Sequence, residues 1–171
     1  MEIIVAVDKN WGIGYHGDLQ VRNSEDLKRF KEITTDNIIV LGAKTLETFP
    51  GAKPLPNRIN IILNDQEEAK EFDGNYIVNS FEESVNKIKE IKKVFPAKQV
   101  YIAGGESVYK QFLDYSHMAI VTKWDFEEDA DAYFPNLDEL ENWSIYSEQN
   151  IKNDEGNYIV STYVNAKVKE L

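Results

Sequence analysis

Residues 99–113, QVYIAGGESVYKQFL, decide the fold. The first five form an apolar run short enough for a strand buried on both faces. Two glycines follow, and ESVYKQFL then reads as a helix. Adjacent glycines let the backbone come close to a ligand, and the N–H groups of a helix start can meet an anion there. The turn lacks G-x-G-x-x-G, so no standard Rossmann dinucleotide site is inferred. The same order recurs at residues 37–49: NIIVL as a strand, then Gly42, then AKTLETF as a short helix with Lys44 and Thr45 in its first turn.

Working outward, EIIVAV at 2–7, INIIL at 59–63, and residues 76–78 and 119–123 read as further strands. A helix over 81–94 sets Val85, Ile88, Ile91 and Phe95 on one apolar stripe. Residues 143–149 and 158–164 alternate on either side of the turn-rich NDEGN and read as a closing antiparallel pair. Strands alternating with helices predict an α/β fold. The expected architecture is a single domain over residues 1–171, with a mostly parallel central sheet flanked by helices on both faces and a C-terminal antiparallel hairpin.

Ligands of such sheets sit at the carboxyl ends of the strands. Three connections start there: residues 8–23, the Gly42 turn and the Gly104–Gly105 turn. The first is a long glycine-punctuated loop, a length more often functional than idle. It leads into an amphipathic helix on which Asp26, Phe30 and Ile33 share a face beside Leu27, with Lys28, Arg29, Lys31 and Glu32 expected on the other side. Asn23 or Ser24 can cap that helix. Asp26 then has two readings: a first-turn acid that suits the helix dipole, or a half-buried acid that binds or protonates a ligand. PGAKPLPNR at 50–58 holds three prolines and reads as an ordered loop closed by Arg58, a surface charge or a carboxylate clamp. Asn64 and Asp65 end the third strand, and the acidic residues 66–75 are expected to be solvated.

Composition removes several function classes. The chain has 171 residues with 30 acids against 19 bases, a net charge of −11. That excess argues against nucleic acid or an anionic membrane as partner, while leaving room for an anionic ligand in a local basic pocket. With no cysteine, disulfides, thiolate zinc sites and cysteine nucleophiles are excluded. Two histidines, far apart in sequence, make a histidine metal site an unfavoured reading, and no metal is expected. No secretory leader or membrane-spanning run is expected, so the default is a cytoplasmic protein.

Taken in order, VAVDKNWGIG, EDLKRFKEIT, VLGAKTLETF, PLPNR, VYIAGGESVYKQFL, VTKWDF and DADAYFP resemble dihydrofolate reductase nearly end to end. The resemblance implies reduction of 7,8-dihydrofolate to 5,6,7,8-tetrahydrofolate with NADPH, in support of one-carbon metabolism and thymidylate synthesis. It places the family's single essential acid on Asp26 and the supporting threonine on Thr122. Ile4, Val5, Leu27, Phe30, Phe49 and Leu55 match the apolar walls around the substrate, and Arg58 the arginine that grips its α-carboxylate. Ala6, Ile13, Gly14 and Tyr109 match positions near the nicotinamide. Gly42, Ala43, Lys44, Thr45, Asn64, Asp65, Gly104, Gly105, Glu106, Ser107 and Val108 match the cofactor's phosphate and ribose sites, within an adenosine-binding part spanning approximately 38–97. The loop over residues 8–23 matches a mobile lid. The resemblance further implies a monomer that binds dihydrofolate and antifolates.

The chain departs from the family pattern at several places. Leu19, Gln20 and Val21 stand where Leu-Pro-Trp is usual, so the tryptophan that helps hold water near the substrate is missing. Ser24 replaces a proline. Ala43 stands where arginine is common, and Asn64 and Asp65 where small hydroxyl or basic residues usually meet the 2′-phosphate. One cation fewer and one anion more predict a reduced preference for NADPH over NADH, unless Lys44 or Lys70 compensates. Two alternatives stay open at this point: a non-catalytic pteridine-binding protein, and a pyrimidine reductase of the same fold.

Overall fold

A computed structural model describes residues 1–20, 23–154 and 156–171, with Asn153 as backbone alone. In chain order the elements are β1 (Glu2–Val7), β2 (Gly12–Tyr15), β3 (Asp18–Leu19), α1 (Ser24–Thr34), β4 (Ile38–Gly42), α2 (Ala43–Glu47), β5 (Ile59–Leu63) and β6 (Lys70–Phe72). They continue with β7 (Asn75–Val78), α3 (Phe81–Val94), β8 (Val100–Ile102), α4 (Glu106–Phe112), β9 (Met118–Trp124), β10 (Ala132–Tyr133), β11 (Trp143–Asn153) and β12 (Gly156–Asn165).

Among the described residues, nine strands form one sheet in the order β11-β12-β9-β1-β8-β4-β5-β7-β6. The pairs β9–β1, β1–β8, β8–β4, β4–β5 and β5–β7 are parallel, and antiparallel partners close both edges. Ile38, Ile39, Val40 and Leu41 of β4 are all fully buried. A strand between two layers needs apolar groups on both sides, which explains a continuous run where a half-exposed strand would alternate. Ile38 and Val40 join the cluster made with α3 and α4, through Val85, Ile88, Val108 and Phe112. Ile39 and Leu41 join the opposite cluster, against Ile33 of α1 and Leu46 of α2. Each such side chain contributes about 1.5–3 kcal/mol by leaving water, so these two layers dominate the stability of the sheet.

The architecture is the one expected, with four local differences. The loop after β1 is not irregular: β2 and β3 form a hairpin, and β10 pairs with β2 to make a second, three-stranded sheet. His16 and Gly17 both have positive φ (51° and 82°) between the paired Tyr15 and Asp18, the backbone a two-residue hairpin turn requires. Residues 70–72 of the stretch expected to be solvated form the edge strand β6, since Phe72 packs against the α1/α2 cluster. The closing strands reach Asn153 and begin again at Gly156, so their pairing extends into the NDEGN stretch expected to be turn. Phe95 lies past the end of α3 and is 47% exposed, outside the stripe that Val85, Ile88 and Ile91 form.

Candidate active site

The parallel strands end at one cleft of about 1430 Å³, and three connections wall it. The residues after β1 supply Asp8, Ile13 and Gly14; the β4–α2 turn supplies Gly42, Ala43, Lys44 and Thr45; the β8–α4 turn supplies Gly104 to Tyr109. Val5, Ala6, Asp26, Leu27, Asn64 and Asp65 line the same space.

Asp26 reaches the cleft because α1 starts just before it. The Asn23 side chain accepts from the N–H groups of Glu25 and Asp26, both at 3.0 Å, which makes Asn23 the cap and fixes Asp26 in the first turn. The carboxylate is 24% exposed. Its Oδ1 accepts from Thr122 Oγ1 at 2.7 Å and faces Arg29 Nη1 at 3.4 Å. Among the described residues nothing donates to Oδ2. Burial pushes the Asp26 pKa above that of an ordinary aspartate, while the Thr122 hydroxyl and the Arg29 charge pull it back. Thr122 is itself buried in β9, where it sits opposite Ala6 of β1 and Val160 of β12. The Asp26 oxygen is therefore anchored to the rigid centre of the sheet.

The other expected residues divide between the cleft and the layer beneath it. Ile4, Phe49 and Leu55 pack with Ile33 on the α1/α2 face. Phe30 is half-buried on α1, and Leu27, 48% exposed, borders the cleft. Val5, the neighbour of Ile4, turns to the opposite layer with its side chain buried. Arg58 lies at the far end of α1, where Nε donates to Thr34 Oγ1 (2.8 Å), Nη1 to the Pro56 carbonyl (2.6 Å) and Nη2 to the Lys31 carbonyl (3.3 Å). A guanidinium has five N–H donors, so one remains on each terminal nitrogen, the fork a carboxylate can take. The bond to the Lys31 carbonyl also serves the last turn of α1.

On the cofactor side, the Gly104–Gly105 peptide is cis, and the Gly42 N–H donates to the Gly104 carbonyl at 2.7 Å. That bond ties the two glycine turns together. A Cβ on Gly105 would stand 3.2 Å from Thr45 Oγ1, and one on Gly104 3.1 Å from the Tyr109 ring, in a backbone with φ of 106°. Among the described residues no side chain caps α2 or α4, so their first N–H groups are left for a ligand. Tyr109 is buried and donates to the Ile4 carbonyl at 2.8 Å; burial and the Asp26 charge hold its hydroxyl protonated. At the end of β5, Asp65 accepts from Gln66 Nε2 at 2.8 Å, and Lys70 is paired with Glu67 at 3.0 Å. Lys44 is exposed at the rim of the cleft.

The loop after β1 has an anchor that its sequence did not single out. Asp8 is 2% exposed. Its Oδ1 accepts from the N–H groups of Asn10 (2.8 Å) and Gly12 (2.9 Å), and its Oδ2 from Gln20 Nε2 (3.2 Å) and the Glu128 N–H (3.3 Å). Gln20, noted only as the replacement for a proline, also donates to the Asp129 carbonyl at 3.2 Å. These bonds fasten the loop after β1 to the segment before β10. Arg29 is the second difference: it lies half-buried beside Asp26, not on the solvent side of α1. Val21, where the family tryptophan is missing, lies outside the described residues.

An anchored acid and two bare helix starts at one set of strand ends, with an arginine at the far end of α1, define an α/β enzyme cleft suited to a nucleotide cofactor. The dihydrofolate reductase family model matches residues 1–167. Dihydrofolate reductase of Aedes albopictus is 36% identical over 146 residues, 79% of this chain and 78% of that protein. That of Bacillus subtilis is 32% identical over 158 residues, 92% and 88% of the two chains, and that of Haemophilus influenzae 32% over 155 residues, 91% and 90%. The chain belongs to the dihydrofolate reductase family. Its members are oxidoreductases that use a nicotinamide cofactor, and the glycine turns and uncapped helix starts described above fit such a group. Among the described residues no helix is long and apolar enough to cross a membrane.

Proposed function

We propose that this chain reduces 7,8-dihydrofolate to 5,6,7,8-tetrahydrofolate with NADPH, with Asp26 as its catalytic acid. The observation that carries the reading is the asymmetry of that carboxylate: Oδ1 is held by Thr122 at 2.7 Å, and Oδ2 takes no hydrogen bond from a described residue. An acid fixed at one oxygen presents the other to a ligand in a constant position.

In this reading the pterin's amino group and ring N–H donate to Asp26. The low local dielectric strengthens that pairing, and burial raises the acid's pKa, which favours the proton-carrying form. A reduced nicotinamide held at the two glycine turns would supply hydride to pterin C6. Asp26 supplies the proton for N5, through solvent in the cleft, which makes C6 the better acceptor. Thr122 holds the acid, and Tyr109 holds the β1 backbone beside it. Ile4, Val5, Leu27, Phe30, Phe49 and Leu55 wall the substrate, and the fork of Arg58 takes its terminal carboxylate. Gly42 to Thr45 and Gly104 to Val108 hold the cofactor phosphates, Ala6, Ile13, Gly14 and Tyr109 lie by its nicotinamide, and Asn64 and Asp65 meet the adenosine ribose within the approximately 38–97 part. The lid excludes water from the transfer. The proposal includes a cytoplasmic monomer that binds antifolates.

The test is loss of NADPH absorbance with dihydrofolate across pH, for the wild type and Asp26→Asn. The amide keeps size and loses the proton, so kcat/KM at neutral pH is expected to fall about 100-fold or more, the scale of general acid catalysis. The loss should shrink at low pH, where the substrate protonates from solvent. A wild type inert with both NADPH and NADH that still binds methotrexate would instead identify a pteridine binder, and turnover of a ribosylated pyrimidine alone would identify the related reductase.

A further inference from the structure

Arg29 is the one cation placed by a described residue against Asp26, and it does not act alone. Its Nη1 faces Asp26 Oδ1 at 3.4 Å, and its Nη2 donates to Tyr158 Oη at 3.3 Å. The Tyr158 hydroxyl donates to Glu25 Oε2 at 2.9 Å, and the guanidinium carbon lies 5.4 Å from the Tyr158 ring centre. Tyr158 is buried and packs on Trp124, its cross-strand neighbour, at 4.4 Å between ring centres. Trp124 follows Thr122 by two residues on β9, so the Arg29 tether and the Thr122 hydroxyl come from the same stretch of sheet.

We propose that Arg29, held by Tyr158, is a positioning residue that sets the protonation of Asp26 and so the upper pH limit of the reaction. The proposal rests on the assignment of Asp26 as the acid. Electrostatics give the direction. A guanidinium on the carboxylate favours the charged form, and Thr122 does the same; burial alone opposes them. Among the described residues, the other titratable groups at this acid are Tyr109, which stays protonated, and Glu25, which accepts from the Tyr158 hydroxyl. Without Tyr158, Glu25 would compete for the guanidinium and draw it from Asp26. The network thus keeps the acid's pKa from rising as far as its burial would take it. A proton can then leave within the turnover cycle, at the cost of activity at high pH.

The experiment follows the Asp26 carboxyl carbon by 13C NMR in the unliganded protein labelled at aspartate, with Asp26→Asn assigning the resonance. The pH dependence of the hydride step is measured alongside by stopped flow. An opposite charge this close shifts a pKa by about 1–3 units, and a half-solvated, shared guanidinium belongs at the lower end, so Arg29→Leu should raise both midpoints by about one unit. Arg29→Lys should restore most of the wild-type position. Tyr158→Phe, which keeps the ring on Trp124, should move both midpoints upward by a smaller amount. If Arg29→Leu does not fold, Tyr158→Phe decides. A folded Arg29→Leu, or in its absence Tyr158→Phe, that leaves the carboxyl midpoint at the wild-type value overturns the proposal. If Asp26→Asn keeps the wild-type rate and pH profile, the acid assignment fails instead, and the carboxyl titration still reports whether Arg29 acts on Asp26.

Discussion

Replacing Asp8 by asparagine separates the two things this buried carboxylate does. Oδ1 closes the local turn through the N–H groups of Asn10 and Gly12, and Oδ2 accepts from Gln20 Nε2 and from the Glu128 N–H of the segment before β10. The amide oxygen of Asn can still serve the first pair, at 2.8 and 2.9 Å. Its NH2 must then face two donors, at 3.2 and 3.3 Å in the wild type. The opposite orientation is worse, because it sets the NH2 against the two shorter bonds. The two longer bonds contribute about 1 kcal/mol each, so the clasp weakens by about 2 kcal/mol. At 1.4 kcal/mol per factor of ten, opening of this loop becomes about 30-fold more populated. Amide hydrogen exchange by NMR reads this directly: protection at Glu128 and across β2 should fall about 30-fold, while β1, β4 and β8 keep theirs. Wild-type exchange at Glu128 in the Asp8→Asn protein would refute the role of the clasp. Loss of protection through the whole sheet would show that Asp8 supports the fold, not the lid.

Two other outcomes follow from the same geometry. Ala43→Arg combined with Asp65→Ser adds a cation and removes an anion beside the expected 2′-phosphate position, and a charged hydrogen bond is worth about 1.5–3 kcal/mol; the kcat/KM ratio of NADPH to NADH should rise tenfold or more, and an unchanged ratio would place the discrimination elsewhere. The folded pKa of Asp26 is raised, chiefly by burial, so stability from this group is full below about pH 4, the unfolded value, and is lost as pH rises through the folded pKa. Asp26→Asn should therefore melt higher than the wild type near pH 8, with the difference shrinking toward pH 4; a constant difference across pH would contradict the linkage.

Most of the fold was legible because burial leaves a periodic trace. NIIVL and QVYIA are apolar without alternation because both sides of β4 and β8 are covered, and the stripe of α3 shows the 3.6-residue repeat of a helix against a sheet. The small second sheet left no such trace. β2, β3 and β10 hold four, two and two residues, and their pairing depends on a segment more than a hundred residues away. Composition could show the glycines of this loop but not that Asp131 accepts from the His16 N–H at 2.9 Å and completes the hairpin's attachment.

The candidate site divides in the same way. Asp26, the glycine turns and Lys44 were legible because each lies next to an element boundary, and boundaries are local. Asp8 and Arg29 were not. Asp8 read as the first polar residue after a strand, and Arg29 as one of several charges on the outer side of a helix. What distinguishes them is a partner far along the chain: Glu128 for Asp8, Tyr158 for Arg29. Hydrophobic periodicity reports which side of an element leaves water, and a charged side chain can obey or violate it depending on who waits across the fold. A long arginine crosses that boundary readily, since its stem packs on aromatic surface while its head stays paired. The residues most able to tune an active-site acid are thus the ones a single sequence describes least, and they become visible once the strand that carries the aromatic is placed beside the helix that carries the acid.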